Sequence, residues 1–155
     1  MKKKLLILWS LTCILALQSQ VVFAANYSSA RTSNIVLSHK YSDSFRGRSP
    51  KLESLGGRLS SVYTMRPPHL YGSSVVKKVE AYVSVERGSS PFYVVVRNAN
   101  GNIGKVLVKQ SGYYSIPGDF IGKDAKGDWQ VYIEGNGYRS SQGTVTVTVH
   151  YEVNS

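Results

Sequence analysis

Cysteine is almost absent from this chain of 155 residues, and the one present, Cys13, sits within an apolar stretch near the N-terminus. That scarcity excludes a disulfide framework, a paired-thiol redox centre and a cysteine-ligated zinc. Histidine numbers three, His39, His69 and His150, too far apart for a helix-borne metal pair of the H-E-x-x-H kind. No G-x-S-x-G nucleophile turn occurs. Acidic side chains are few, 9 against 19 basic ones, and so dispersed that no two stand out as the acid and base of a glycosidase. Sustained helical periodicity is missing as well. No common hydrolytic motif stands out, which leaves a hydrolase using His39 or His150 as a third reading only.

What is present begins with a leader. Lys2, Lys3 and Lys4 precede an apolar run over residues 5–17, which passes through a polar step into Val22-Phe23-Ala24. A basic start, a short apolar run and a small-residue site describe a secretory signal peptide over residues 1–24, cut after Ala24. The run falls short of the roughly 18–20 residues that span a bilayer, so no stable membrane insertion is expected. Cys13 leaves with the leader, and Ser10, Leu11 and Thr12 before it do not form the small-residue site of a lipidated cysteine. The expectation is a secreted, extracellular protein of 131 residues with 16 basic and 9 acidic side chains, a charge of +7.

Residues 25–57 are polar, serine-rich and basic, with a single strand candidate at residues 35–37. This segment is expected to be partly loose. From residue 58 to 155 the apolar period is two, the mark of strands with one buried face. Val75, Val79, Ala81, Val83 and Val85 share a face, with Tyr82 and Val76 blurring the pattern. Near the C-terminus Val145, Val147, Val149, Tyr151 and Val153 alternate with threonines, His150 and Glu152. Asn100-Gly101 has the composition of a tight hairpin turn. About eight short strands follow, which predicts an all-β, two-sheet antiparallel sandwich of jelly-roll type. Val75, Val79, Val83, Val94, Val96, Leu107, Trp129, Val131, Ile133, Val145, Val147 and Val149 are its expected core.

One C-terminal piece carries a family likeness. Phe120, Gly122, Gly127-Asp128-Trp129, Val131 and Ile133, then Gly143, Val145 and Val147, resemble the end of the jelly-roll P-domains of secreted subtilisin-like proteases. The resemblance implies a sandwich whose last two strands form a closing hairpin; it assigns no functional residue. The whole chain also resembles small secreted proteins of Bacillus-type bacteria, which implies location and not activity.

Three groups of residues are candidates for binding. Arg46, Arg48, Lys51 and Arg58 form a basic cluster beside Tyr41 and Phe45, suited to a polyanion. If the last two strands pair, Gln130 and Tyr132 share an outer face with Thr144, Thr146, Thr148 and His150, a flat, hydrogen-bonding platform for a sugar. Asp119, Asp124 and Asp128 sit in a glycine-rich loop, where oxygen ligands would hold calcium, although Lys123 and Lys126 intervene and the D-x-D-x-D-G spacing is not met. No other cofactor is expected. The reading is a secreted, non-catalytic binding module for an anionic cell-wall polymer or polysaccharide, with nucleic acid not expected as partner. The alternative is a secreted antibacterial effector acting on competitor cell envelopes.

Overall fold

The computed structural model describes residues 40–154. The expected leader, Cys13, the strand expected at residues 35–37 and His39 lie outside the described residues. Nine strands follow in chain order: β1 (Lys40–Arg48), β2 (Leu52–Ser54), β3 (Tyr63–Met65), β4 (Ser73–Val85), β5 (Phe92–Arg97), β6 (Ile103–Val108), β7 (Gly112–Ser115), β8 (Trp129–Gly135) and β9 (Ser141–Asn154). They form two antiparallel sheets, one ordered β1-β9-β4-β7 with β2 also on β9, the other β3-β8-β5-β6. Both β1 and β2 pair with β9, β1 along residues 146–154 and β2 along residues 141–143, so they are one strand interrupted at Ser49 and Pro50. Eight strand positions in this order make a jelly roll.

Binary patterning explains the layering. In β9 every second residue from Ser141 to Val153 is buried, while Gln142, Thr144, Thr146, Thr148, His150 and Glu152 face outward. A slip of one residue would turn five large apolar side chains to water, so the register is pinned. Val145, Val147 and Val149 are fully buried, each contributing about 1.5–3 kcal/mol relative to exposure. Phe45 meets Trp129 and Tyr151 with ring centroids 6.2 and 5.8 Å away, and Phe120 lies 5.4 Å from Trp129. The indole N–H of Trp129 donates to the Ala125 carbonyl at 3.0 Å, which satisfies its one polar atom in the interior. Asn100 and Gly101 turn β5 into β6 as their composition predicts, with Gly101 at φ 83°.

Four expectations are corrected. In β4 the ladder with β9 shifts between Val76 and Lys78, so Lys77 is an extra residue and both lysines face outward. That bulge buries Val76 and leaves Val75 half-exposed, the reverse of simple alternation. In β6, Val108 is buried and Leu107 half-buried on the outer side, because Gly104 sets the inward parity. The last two strands form no hairpin, since β8 pairs with β3 and β5 while β9 pairs with β1, β2 and β4. Finally, residues 40–54 belong to the sandwich, so its boundary precedes residue 58.

Three buried serines tie the polar stretch of residues 49–60 to the sandwich. Ser49, Ser54 and Ser60 are buried, and their hydroxyls accept the amides of Val145, Gly135 and Ile133 at 3.0, 2.9 and 3.0 Å. Ser49 replaces a ladder acceptor at the break between β1 and β2, and Ser54 and Ser60 do so where the chain passes from the β9 sheet to β8. Pro50 removes a backbone donor at the interruption between β1 and β2, which favours breaking the strand there.

Candidate functional site

The outer face of the sheet built on β9 presents polar side chains aligned by register. Rows of directly opposed residues cross it. One row runs Arg48, Thr146, Tyr82, Tyr113; the next runs Arg46, Thr148, Glu80, Ser115; a third joins Ser44, His150 and Lys78. Strand alternation places these side chains outward, because the intervening Phe45, Val79, Ala81, Val83, Val145, Val147 and Val149 are buried. A depression of about 230 Å³ is lined by Arg46, Glu80, Tyr82, Tyr113, Thr146 and Thr148.

The charges of this face are already sorted. Glu80 receives Lys78 Nζ at 2.6 Å and His150 Nε2 at 3.0 Å. Lys78 in first place, with His150 behind it, holds the Glu80 carboxyl below the usual carboxylate range against a partial burial penalty. Glu152 receives Lys40 and Lys77, both at 2.8 Å, and those hydrogen bonds lower its pKa as well. Lys77 can join Lys40 there because the bulge turns it outward. Lys51 lies 3.8 Å from Glu86, and Glu53 accepts a hydrogen bond from the Gln142 amide. Lysines thus neutralise Glu80 and Glu152, while Arg46 and Arg48, like Asp43 and Glu53, form no ion pair among the described residues.

The residues singled out from sequence are distributed over several surfaces. Arg46, Arg48, Thr146 and His150 come together here, and Lys51 lies at the end of the same sheet, past the β1 break. Gln130 and Tyr132 do not join them: both are on β8, in the other sheet, opposite Arg97 and Val95 of β5. Arg58 lies in the turn after β2, its amide bonded to the Leu55 carbonyl, where the chain crosses towards β8. The aspartates do not converge. Asp124 accepts the Lys126 amide at 3.1 Å, Asp128 lies 3.8 Å from Arg66, and Asp119 is an exposed turn residue. Among the described residues no three His, Cys, Asp or Glu side chains are placed to hold a metal ion. Asp124 closes a local turn with Lys126.

Tyr82 and Tyr113 were not among the sequence candidates. The available signal was Tyr82 itself, an aromatic residue at an outward position of an otherwise regular strand.

No family model matches the chain, and no curated protein is similar to it. Among solved structures it is similar to a protein of the Bacillus endospore appendages, which are disulfide-linked pili: 13% identity, 74% of this chain and 91% of that one, TM-score 0.41. FlhE is similar at 17% identity, covering 72% of this chain and 96% of that one, TM-score 0.40. A chain of the cyanophage Pam1 capsid matches at 12% identity, 81% and 99% coverage, TM-score 0.41. None of the three is a protease P-domain, and likenesses this remote say nothing of what the chain binds. No helix among the described residues is long and apolar enough to cross a membrane.

Proposed function

We propose that this chain is a secreted, non-catalytic binding module that engages an anionic cell-wall polymer or polysaccharide through the outer face of the β9 sheet. The observation that supports this reading is the pair Arg46 and Arg48, on one face of β1 and without carboxylate partners among the described residues, beside the Thr146 and Thr148 hydroxyls. A guanidinium presents a planar fork of donors that matches carboxylate and phosphate oxygens. Threonines on the neighbouring strand add donors and acceptors for hydroxyl-bearing ligands. Export, which the N-terminal 24 residues predict, would bring such a face to the polymers of an envelope.

The test is co-sedimentation of the purified protein with purified bacterial walls across a salt series. Binding is expected at low ionic strength and should weaken as salt rises, since exposed charges are screened beyond about 10 Å at 0.1 M. The double variant Arg46→Ala/Arg48→Ala should bind about tenfold more weakly, a loss of about 1.4 kcal/mol. Absence of binding at low salt, or binding indifferent to salt and to both arginines, would overturn the proposal.

A further inference from the structure

We propose that Tyr82 and Tyr113 form a stacking platform for the sugar rings of an acidic glycan whose acid groups are taken by Arg46 and Arg48. This deepens the function proposed above and rests on it. The two tyrosines are directly opposed on β4 and β7, their ring centroids 4.9 Å apart at an interplanar angle of 55°. Tyr82 is 44% exposed and Tyr113 is 82% exposed, a large aromatic surface left in water on a face otherwise made of hydroxyls and charges. Because β7 ends its sheet, no further strand among the described residues lies beyond Tyr113.

The surroundings match a sugar better than a bare polyanion. A tyrosine ring offers apolar area to the C–H face of a pyranose while its hydroxyl stays hydrated. Thr146 and Thr148 border the same depression and can exchange hydrogen bonds with ring hydroxyls. Glu80, which also lines it, is neutralised by Lys78 and offers an acceptor without an uncompensated negative charge. The row from Arg48 to Tyr113 crosses four strands, about 14 Å at the usual strand spacing. A chain of sugar rings bearing acid groups would span that row, and Arg46 lines the depression beside both tyrosines.

A tyrosine pair across two strands also strengthens their pairing, and that role alone would leave ligand binding untouched. Tyr113→Thr keeps a good strand former while removing the ring, and its exposed position makes it the safer variant. The experiment measures affinity of the purified protein for polygalacturonate, polyphosphate and dextran, with thermal melts of each variant. The wild-type protein should bind polygalacturonate at least tenfold more tightly than polyphosphate and should not bind dextran. Tyr82→Ala and Tyr113→Thr should each lose about tenfold on polygalacturonate, with unchanged affinity for polyphosphate. Equal affinity for the two polyanions, dextran binding as tight as polygalacturonate, or a folded Tyr113→Thr protein with full polygalacturonate affinity would each overturn the platform. Polygalacturonate binding that is lost in Arg46→Ala/Arg48→Ala but indifferent to both tyrosine variants would strike this inference alone. Binding to neither polyanion nor to walls would strike both.

Discussion

Ser49 and Val145 complete a pair of ladder bonds at the point where β1 has already ended. The Ser49 amide donates to the Val145 carbonyl at 2.8 Å, and the Ser49 hydroxyl accepts the Val145 amide at 3.0 Å. A side chain thereby stands in for the backbone carbonyl that the interrupted strand no longer presents. Ser49→Ala would leave the Val145 amide buried and unpaired, at a cost of about 1–3 kcal/mol. Urea unfolding should show a lower midpoint with an unchanged slope. A midpoint equal to wild type would mean that the hydroxyl carries no part of the strand's stability.

That serine also shows where sequence legibility ends. The apolar face of β9 was legible because its alternation runs unbroken from Val145 to Val153, and the two-layer sandwich followed from several such runs. Ser49, Ser54 and Ser60 were not legible, because a serine that replaces a ladder acceptor is indistinguishable by composition from one in a solvated loop. Val75 was misplaced for a related reason: a bulge inserts one residue, and periodicity before and after it then belongs to two different phases. The arginines and threonines of the site could be proposed from charge and alternation. Their neighbours Tyr82 and Tyr113 could not, since sheet order depends on which strands pair, and β7 meets β4 across a sequence separation that no local pattern records. The same limit put Gln130 and Tyr132 on the wrong surface.

Gly104 should tolerate no side chain. A Cβ there would lie 2.4 Å from the Pro117 carbonyl oxygen and 2.6 Å from the Phe120 ring, where Gly104 and Gly118 bring two backbone segments together. The oxygen is main chain and the ring is fully buried, so neither yields cheaply. Gly104→Ala is expected to destabilise by about 1–3 kcal/mol through overpacking. Gly88→Ala makes a useful contrast, because its Cβ would meet nothing within 4 Å although its φ is +82°. Comparison of the two by denaturant unfolding separates steric crowding from backbone strain, and a Gly104→Ala protein as stable as wild type would refute the crowding.

Alkaline stability should depend on Tyr151. Its hydroxyl donates to Asp43 Oδ2 at 3.1 Å, and burial first, then that carboxylate, push its pKa above the ordinary value. A raised pKa in the folded state means that stability is intact below about pH 10 and falls as the unfolded tyrosine ionises first. Tyr151→Phe removes the ionisation and should flatten the loss of melting temperature above pH 10. An alkaline limb identical in the two proteins would place the cause elsewhere.

Acid stability should depend on Lys78 and its partner. Lys78, followed by His150, keeps the Glu80 carboxyl below its ordinary pKa, and Lys40 and Lys77 do the same for Glu152. A carboxylate whose folded pKa is depressed stabilises the fold above its unfolded pKa of about 4.3, and the contribution drains away as pH falls towards the folded value. Melting temperature should therefore hold near neutrality and decline below about pH 4.3. In Lys78→Ala the largest cause of the Glu80 shift is gone, so neutral stability should drop slightly and the acid decline become shallower. The change is expected to be small, because the ion pair is accessible to water and salt. The informative quantity is the difference between the two proteins, which should be largest near neutral pH and shrink as both carboxylates protonate. If it stays constant down to pH 3, Lys78 acts through packing of its alkyl stem and not through the charge of Glu80.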